Sequence, residues 1–560
     1  MRDYDDITEF LGQKGPYFWT SFFLLNLMFI NVGYGTMYIV FVGASSAHQC
    51  QIPENVNLTE AWRSASIPAE MVNGKIQYSS CKRYSLNEIS KLSALNSSPV
   101  DINLTHIPQE GCVDGWTYDR STFYSTIITE WDLVCDNEWK VPFTTSTYFI
   151  GILCGSVTSG QFSDRFGRKP VLFITLAAHF VFLLIHSFSP SWEFFCLVFF
   201  CVGICQTSVN VTAFVLGTET LSKWMQGLFA ALGAFLHYCI GYMLLPAIAF
   251  GFRDWRTLLF VLACLTILHV PLWWLISESP RWLLSQGRVK EFEDILRYAA
   301  DKNGVSLPDP IFKESELERF ISYNEKKHTI IDVLKGRNIR VITIMCLLLW
   351  LAANLGYFGI SLNTSNLSGD PYLNCFLSAA VEVPAYFTAV VIIKRCPRRP
   401  VISTFFCIGG GLLFFIQLIP ENLTELAIFL ELFGKFCFTM SFCVLYMYTA
   451  EVYPTVLRNS GVGICSSTSR IGSIMAPYVL YLGKWNPFLP YIILGSLTLG
   501  CCSVNLFLPE TFNRTLPETL EQMQKFRGFN KCTKVEGREE HDQSITTELP
   551  QEVTLRECTF

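Results

Sequence analysis

Charge is scarce in this chain. Asp, Glu, Lys and Arg make up 16% of its 560 residues, and hydrophobic residues make up 51%. A soluble chain of this length splits into several domains with charged surfaces, an alternative this composition opposes. The sequence lacks a cleavable signal peptide: its first apolar block follows a charged, Pro-containing segment and is too long. It lacks Cys-x-x-Cys and His-rich spacings, so no metal centre is expected. No nucleophile–base or metal-ligand constellation appears, which argues against an enzyme. Gly217-Thr-Glu-Thr-Leu-Ser-Lys223-Trp224 has the outline of a phosphate loop. It has no second Gly and no Ser or Thr after the Lys, and it follows an apolar helix rather than a strand. No nucleotide, other cofactor or nucleic acid is therefore expected as a partner.

The apolar residues fall in about twelve blocks of bilayer-spanning length. They are 18–42, 143–162, 170–189, 192–215, 227–250, 255–276, 340–362, 372–393, 401–420, 425–449, 460–482 and 488–508. The chain thus reads as an all-α polytopic membrane protein. Lipid bilayer and a small organic solute are its expected partners. Positive residues cluster in two short loops: Arg165, Arg168 and Lys169, then Lys394, Arg395, Arg398 and Arg399. Both loops are expected in the cytoplasm, which puts both termini inside.

Segment 1–17 is then a cytoplasmic start, 18–276 a first six-helix half and 277–339 a charged cytoplasmic linker. Residues 340–508 form a second six-helix half, and 509–560 a polar tail expected to be largely disordered. Within the linker, Phe292, Ile295, Leu296 and Ala299 recur at helical spacing and predict a surface helix over 289–300. Sequons at Asn57, Asn96 and Asn103 fall in the outer loop 43–141, and Asn363, Asn366 and Asn422 also fall outside. Asn513 falls inside and should stay bare. Four of the 21 cysteines, Cys50, Cys81, Cys112 and Cys135, share that first loop. They imply two disulfides, with three connectivities open.

Two halves of six suggest an internal repeat. Glu451 precedes Arg458 by seven residues at a cytoplasmic helix end, and Glu219 matches Glu451 in the first half, with Gln226 where a base would stand. Ordinary interfacial charge is the alternative reading of that match. Asp164 with Arg165 and Arg168 can form ion pairs at the cytoplasmic mouth, and together with Glu219, Glu451 and Arg458 they are the candidate conformational gate.

Arg470 is a charge inside an apolar span, which costs about 2.5–3.5 kcal/mol on insertion scales. It either lines a path for a polar solute or pairs with Glu382 or Glu431. Lys435 also lies in a span, and either lines the cavity or pairs with Glu431.

The stretch Gly160-Gln-Phe-Ser-Asp164-Arg-Phe-Gly-Arg168-Lys169 resembles the cytoplasmic loop signature of the major facilitator superfamily. Ser277-Glu-Ser-Pro-Arg-Trp-Leu283 resembles the Pro-Glu-Ser-Pro-Arg-Trp-Leu signature of organic ion transporters, with Ser277 for the proline. Met1–Gly12, Thr129–Cys135, Asn374–Ser378, Val381–Tyr386 and Tyr448–Thr455 look like the organic cation/carnitine branch. The resemblance runs from residue 1 to about 527. It implies the twelve-helix major facilitator fold, alternating access and a solute held between the halves.

It also implies a plasma-membrane carrier for zwitterionic or cationic solutes of the carnitine, betaine or ergothioneine type. Arg470 would hold a carboxylate. Tyr238, Tyr357, Tyr446 and Tyr448 would offer ring faces to a quaternary ammonium, unless they are packing residues. Glu382 would meet the ammonium or balance Arg470, and Gln206 would line the site. Organic anion exchange and a non-transporting receptor are the alternatives.

Three departures stand out. The first span reads Asn31-Val32-Gly33 where the branch has Pro-Asn-Gly. The fourth reads Gln206-Thr-Ser-Val209-Asn210 where it has Gln-Ile-Ser-Asn-Tyr. Each shifts an Asn about 100° around a helix. If Asn31 and Asn210 were to hold a sodium ion, the candidate coupling ion, that site is altered or lost. Finally, the branch ends in Thr-x-Phe, a PDZ ligand, whereas Cys558 stands in the Thr position and weakens that expectation.

Overall fold

The computed structural model describes residues 8–514 and 517, apart from 57, 73–74, 96–98, 100–101, 103, 307–335, 365–368, 421–422 and 455–456. The sequons at Asn57, Asn96, Asn103, Asn366 and Asn422 and nearly all of the tail lie outside the described residues.

Each apolar block has become a helix. In the first half these are α1 (Pro16–Val42), α2 (Lys140–Phe166), α3 (Arg168–Ser187), α4 (Trp192–Thr220), α5 (Ala234–Gly251) and α6 (Trp255–Leu275). A short helix, Lys223–Leu228, and a π turn, Phe229–Gly233, lead into α5. In the second half they are α7 (Arg337–Asn363), α8 (Pro371–Arg395), α9 (Arg398–Ile416), α10 (Thr424–Val452), α11 (Arg458–Tyr481) and α12 (Leu489–Asn505). Among the described residues, nine helices are long and apolar enough to cross a membrane. The other three are α2, α11 and the 17-residue α12.

Hydroxyls dilute α2 and α11. In α2 the hydroxyls of Thr144, Thr145, Thr147 and Thr158 donate to carbonyls one turn back, at Lys140, Val141, Phe143 and Cys154. Such internal satisfaction lets polar side chains sit in a bilayer helix.

Close helix crossings need glycine, as between α1 and α5. A Cβ on Gly33 of α1 would collide with the Tyr238 carbonyl of α5, and one on Gly241 with that of Ile30. Gly167 turns the chain from α2 to α3 with φ 103°, a backbone that favours Gly. Asp370 caps α8 by accepting from Tyr372 N at 2.8 Å, with Pro371 behind it.

The segment between α1 and α2 is a small domain of three two-stranded antiparallel pairs around Trp62, Tyr84 and Ile89. Its disulfides are Cys50–Cys112 and Cys81–Cys135, with Cα separations of 4.9 and 5.7 Å. They fix one of the three open connectivities. At the opposite end, helix Val289–Asn303 buries Phe292, Leu296, Ala299 and Ala300, and Gly304 closes it in the left-handed region. The expected surface helix is there, three residues longer, packed beneath α1. These two features define a loop-domain end and a linker end of the bundle.

The halves join toward the loop-domain end. Ser146 of α2 donates to the Ile474 carbonyl of α11 at 2.8 Å, and Phe149 meets Phe358 edge-on at 4.8 Å. Tyr372 of α8 stacks on Phe41 of α1 at 5.3 Å and touches Phe123 and Phe250; its hydroxyl donates to the Thr122 carbonyl at 3.1 Å. Lys484, just past α11, pairs with Glu138 of the loop domain.

Candidate functional site

Two matched ionic clasps stand at the linker end. In the first half, Arg168 reaches Glu219 through Nη2 at 3.0 Å and Nε at 3.1 Å, and Asp164 through Nη1 at 2.7 Å. Glu278 accepts from the backbone amides of Arg168 and Lys169 at 3.1 Å each, at the positive end of α3. Burial pushes the Glu278 carboxyl up, and the amides of Ser279, Lys169 and Arg168 pull it down. Ser279 donates to Glu219 at 2.6 Å.

The second half repeats these contacts except the one to Asp164; Arg398 Nη1 donates instead to the Cys396 carbonyl at 3.0 Å. Arg398 holds Glu451 at 3.0 and 3.3 Å, Glu510 accepts from the amides of Arg398 and Arg399 at 2.9 and 3.1 Å, and Thr511 donates to Glu451 at 2.6 Å. The repeat is therefore chemical as well as topological.

Glu451 does not pair with Arg458: its carboxylate is taken by Arg398, 53 residues away, and Nε and Nη2 of Arg458 are buried with no hydrogen-bond partner among the described residues. Arg165 also makes no carboxylate pair among the described residues; its guanidinium lies over the Phe166 ring at 5.5 Å.

Mid-bundle, Arg470 lies halfway along α11. It forms no ion pair among the described residues, and its Nε has no hydrogen-bond partner. The phenols of Tyr446, Tyr148 and Tyr238 are the groups acting on it electrostatically. The expected alternatives of pairing with Glu382 or Glu431 are not realised. Glu382 accepts from Tyr357 at 2.7 Å and pairs with Lys435 at 2.9 Å, both ions fully buried. Glu431 instead accepts from Asn363 at 3.2 Å. The Asn363 amide also donates to the Tyr491 hydroxyl at 3.2 Å. Lys435 correspondingly reaches Glu382, not Glu431.

Two further expectations need correction. Tyr448 lies in the α7–α10 core, its hydroxyl donating to the Pro509 carbonyl at 2.7 Å, while Tyr446, two residues away, faces Arg470 and is 38% exposed. Gln206 is buried and donates to the Val32 carbonyl at 3.1 Å, so it fixes α4 to α1 rather than lining the site. Asn31 donates to Thr266 of α6 at 3.2 Å and is not bonded to Asn210. His48, Cys81 and Cys135 lie close enough to share a metal ion. The two cysteines are joined as a disulfide, so they offer no thiolate.

The pattern of the sugar (and other) transporter family matches residues 115–523. The chain belongs to that family. The transporter is 49% identical over 535 residues to mouse (Mus musculus) solute carrier family 22 member 4, covering 95% of this chain and 97% of the relative. It is 50% identical over 530 residues to organic cation/carnitine transporter 2 of Rattus norvegicus, covering 94% and 95%. Homo sapiens organic cation/carnitine transporter 2 is 47% identical, with the same coverage. The transporter also shares its fold with the inward-open xylose transporter XylE of E. coli: TM-score 0.59, 14% identity, 89% of this chain and 98% of the other covered. The transporter therefore has the major facilitator fold, in a multi-pass membrane protein.

Sequence reasoning missed Arg398, Glu278, Glu510 and Thr511 as clasp residues, and Tyr148 and Tyr242 near the centre. A signal existed for the clasps: Glu278-Ser279 and Glu510-Thr511 follow Arg168 and Arg398 by nearly equal intervals, 110 and 112 residues to the Glu.

Proposed function

We propose that this chain is a plasma-membrane secondary transporter that moves small zwitterionic or cationic organic solutes, of the carnitine, betaine or ergothioneine type, by alternating access. One observation carries the reading: Arg470 presents a guanidinium with no acidic partner among the described residues in the middle of the bundle, beside Tyr446, Tyr148 and Tyr238. An unpaired charge at membrane depth is costly. It is retained where a ligand supplies the counter-charge, and a planar fork suits a carboxylate. The relatives' names, organic cation/carnitine transporter 2 among them, support the solute class.

With the loop domain outside and both termini in the cytoplasm, the halves meet on the outer side, which corresponds to an inward-facing state. Each ionic clasp is engaged within its own half and would brace the inner ends of the two halves as they move. No cofactor is invoked; a sodium ion near Asn31 and Asn210 is the candidate coupling ion.

A second reading is organic anion exchange. It is favoured by Lys435, which puts a second cation beside Glu382. Uptake of radiolabelled carnitine and ergothioneine, in sodium and in sodium-free medium, tests the proposal. Uptake abolished in Arg470→Ala supports the carboxylate site. Uptake of dicarboxylates without betaines overturns the zwitterion reading in favour of exchange, and no uptake of any solute overturns transport.

A further inference from the structure

Lys435 sits where a ligand ammonium would be expected to sit. Its Nζ is 2.9 Å from Glu382 Oε1 and donates to Ser378 at 2.7 Å and to the Tyr242 hydroxyl at 3.4 Å. It also lies 4.6 Å from the Tyr242 ring centroid and 5.2 Å from that of Tyr357. One carboxylate, two hydroxyls and two aromatic faces are the full complement that recognises an alkylammonium. The arrangement is a built cage, and its occupant belongs to the chain.

The cage straddles the seam between the halves. Tyr242 comes from α5 of the first half; Tyr357, Ser378, Glu382 and Lys435 come from α7, α8 and α10 of the second. Cys239 of α5 also reaches Glu382, at 3.7 Å. Opening the loop-domain end would separate α5 from α8 and take the Tyr242 wall from the cage. Lys435 and Glu382 both belong to the second half and stay together, so the same movement leaves the ion pair but exposes it to whatever enters from the seam. Lys can leave such a site readily, because its charge is carried on a flexible four-carbon stem. Tyr238 lies beside the cage, its ring edge-on to that of Tyr242 at 6.3 Å.

We propose that Lys435 is a tethered ammonium that holds the cage of Tyr242, Tyr357, Ser378 and Glu382, and that the cationic group of a solute binds there by displacing it. Lys435 is thus a specificity-determining residue. With Lys435 seated, the pocket takes carboxylates through Arg470 and binds a free cation only weakly, since the cation must displace the lysine; a zwitterion binds more tightly because its carboxylate end, already held by Arg470, presents its ammonium at high local concentration. The consequence for transport rests on the carrier reading above, but binding to the cage does not.

The test uses the purified full chain and tetramethylammonium as the probe, read by thermal shift. Lys435→Met should gain a saturable stabilisation at a concentration at least tenfold below any seen in the unaltered chain. The double change Lys435→Met with Glu382→Gln should lose that gain. If Lys435→Met fails to accumulate, Lys435→Gln, which keeps a donor toward Ser378, carries the same comparison. Equal shifts with and without Lys435, or no shift in either variant, overturn the proposal. Uptake in the unaltered chain is scored separately: its absence counts against the carrier reading, whereas an unchanged tetramethylammonium response counts against the tethered ammonium alone.

Discussion

Arg398 grips Glu451 through two nitrogens, at 3.0 and 3.3 Å. The same grip, on a carboxylate 51 rather than 53 residues on, joins Arg168 to Glu219 in the first half. Both arginines are largely buried, so neither pair is a solvated surface contact. Deleting one partner strands the other, at a cost of about 3–5 kcal/mol when burial is complete. Arg398→Ala should therefore lower the melting temperature in detergent and cut uptake at least tenfold, and the swap Arg398→Glu with Glu451→Arg should recover part of it. Unchanged uptake and melting in Arg398→Ala would remove the clasp from the mechanism.

Removing the Arg470 fork takes away charge-assisted hydrogen bonds, worth about 1.5–3 kcal/mol together. Arg470→Lys should accordingly raise the KM for a zwitterion about tenfold to a hundredfold, while surface expression stays level. A KM that does not move would detach the carboxylate from this residue.

Tyr446 and Tyr448 should separate cleanly. Tyr448→Phe loses the bond to the Pro509 carbonyl, a buried interaction worth about 1 kcal/mol. It should reduce thermal stability by a few degrees and leave KM alone. Tyr446→Ala should change KM instead. The opposite assignment of effects would restore Tyr448 to the solute path.

Non-reducing peptide mapping should recover the Cys50–Cys112 and Cys81–Cys135 pairs. Removing either bridge should cost about 2–5 kcal/mol to the loop domain and reduce surface delivery. Recovery of Cys50 joined to Cys81 or Cys135 would contradict the connectivity.

Tyr372 contributes most of the aromatic contact that joins α8 to α1 and the loop domain. Truncating a buried aromatic costs about 3–5 kcal/mol. Tyr372→Ala should therefore favour the conformation open at the loop-domain end. Labelling of a cysteine placed at Ser146 by a membrane-impermeant thiol reagent would report this as a faster reaction; an equal rate would mean that closure does not depend on the ring.

Much of this was legible in the sequence, for identifiable reasons. Arg470 was visible because it is a lone charge in an apolar block. The span positions of α2 and α11 were visible although hydroxyls lower their hydropathy, because no charge interrupts α2 between Lys140 and Asp164 and only Arg470 interrupts α11 between Arg458 and Lys484. Partners were harder. Glu451 and Arg458 stand out together because they are near neighbours along the chain, whereas the partner of Glu451, Arg398, lies on α9. Glu431 precedes Lys435 by four residues, the spacing of a helical ion pair, yet Glu382 on another helix takes the lysine. Tyr446 and Tyr448 differ by about 200° around one helix, and which side faces solute is decided by the helices packed outside it. In each case the deciding neighbour is remote in sequence, and one chain read alone does not display it.

The Tyr372 stack also gives closure a temperature dependence. Ring burial draws on water release, which weakens as the solution cools, while the ionic clasps at the other end do not share that dependence. Chilling should therefore tilt the resting population away from the state closed at the loop-domain end, so that a carrier frozen from a cold membrane and one working in warm tissue would not rest in the same posture.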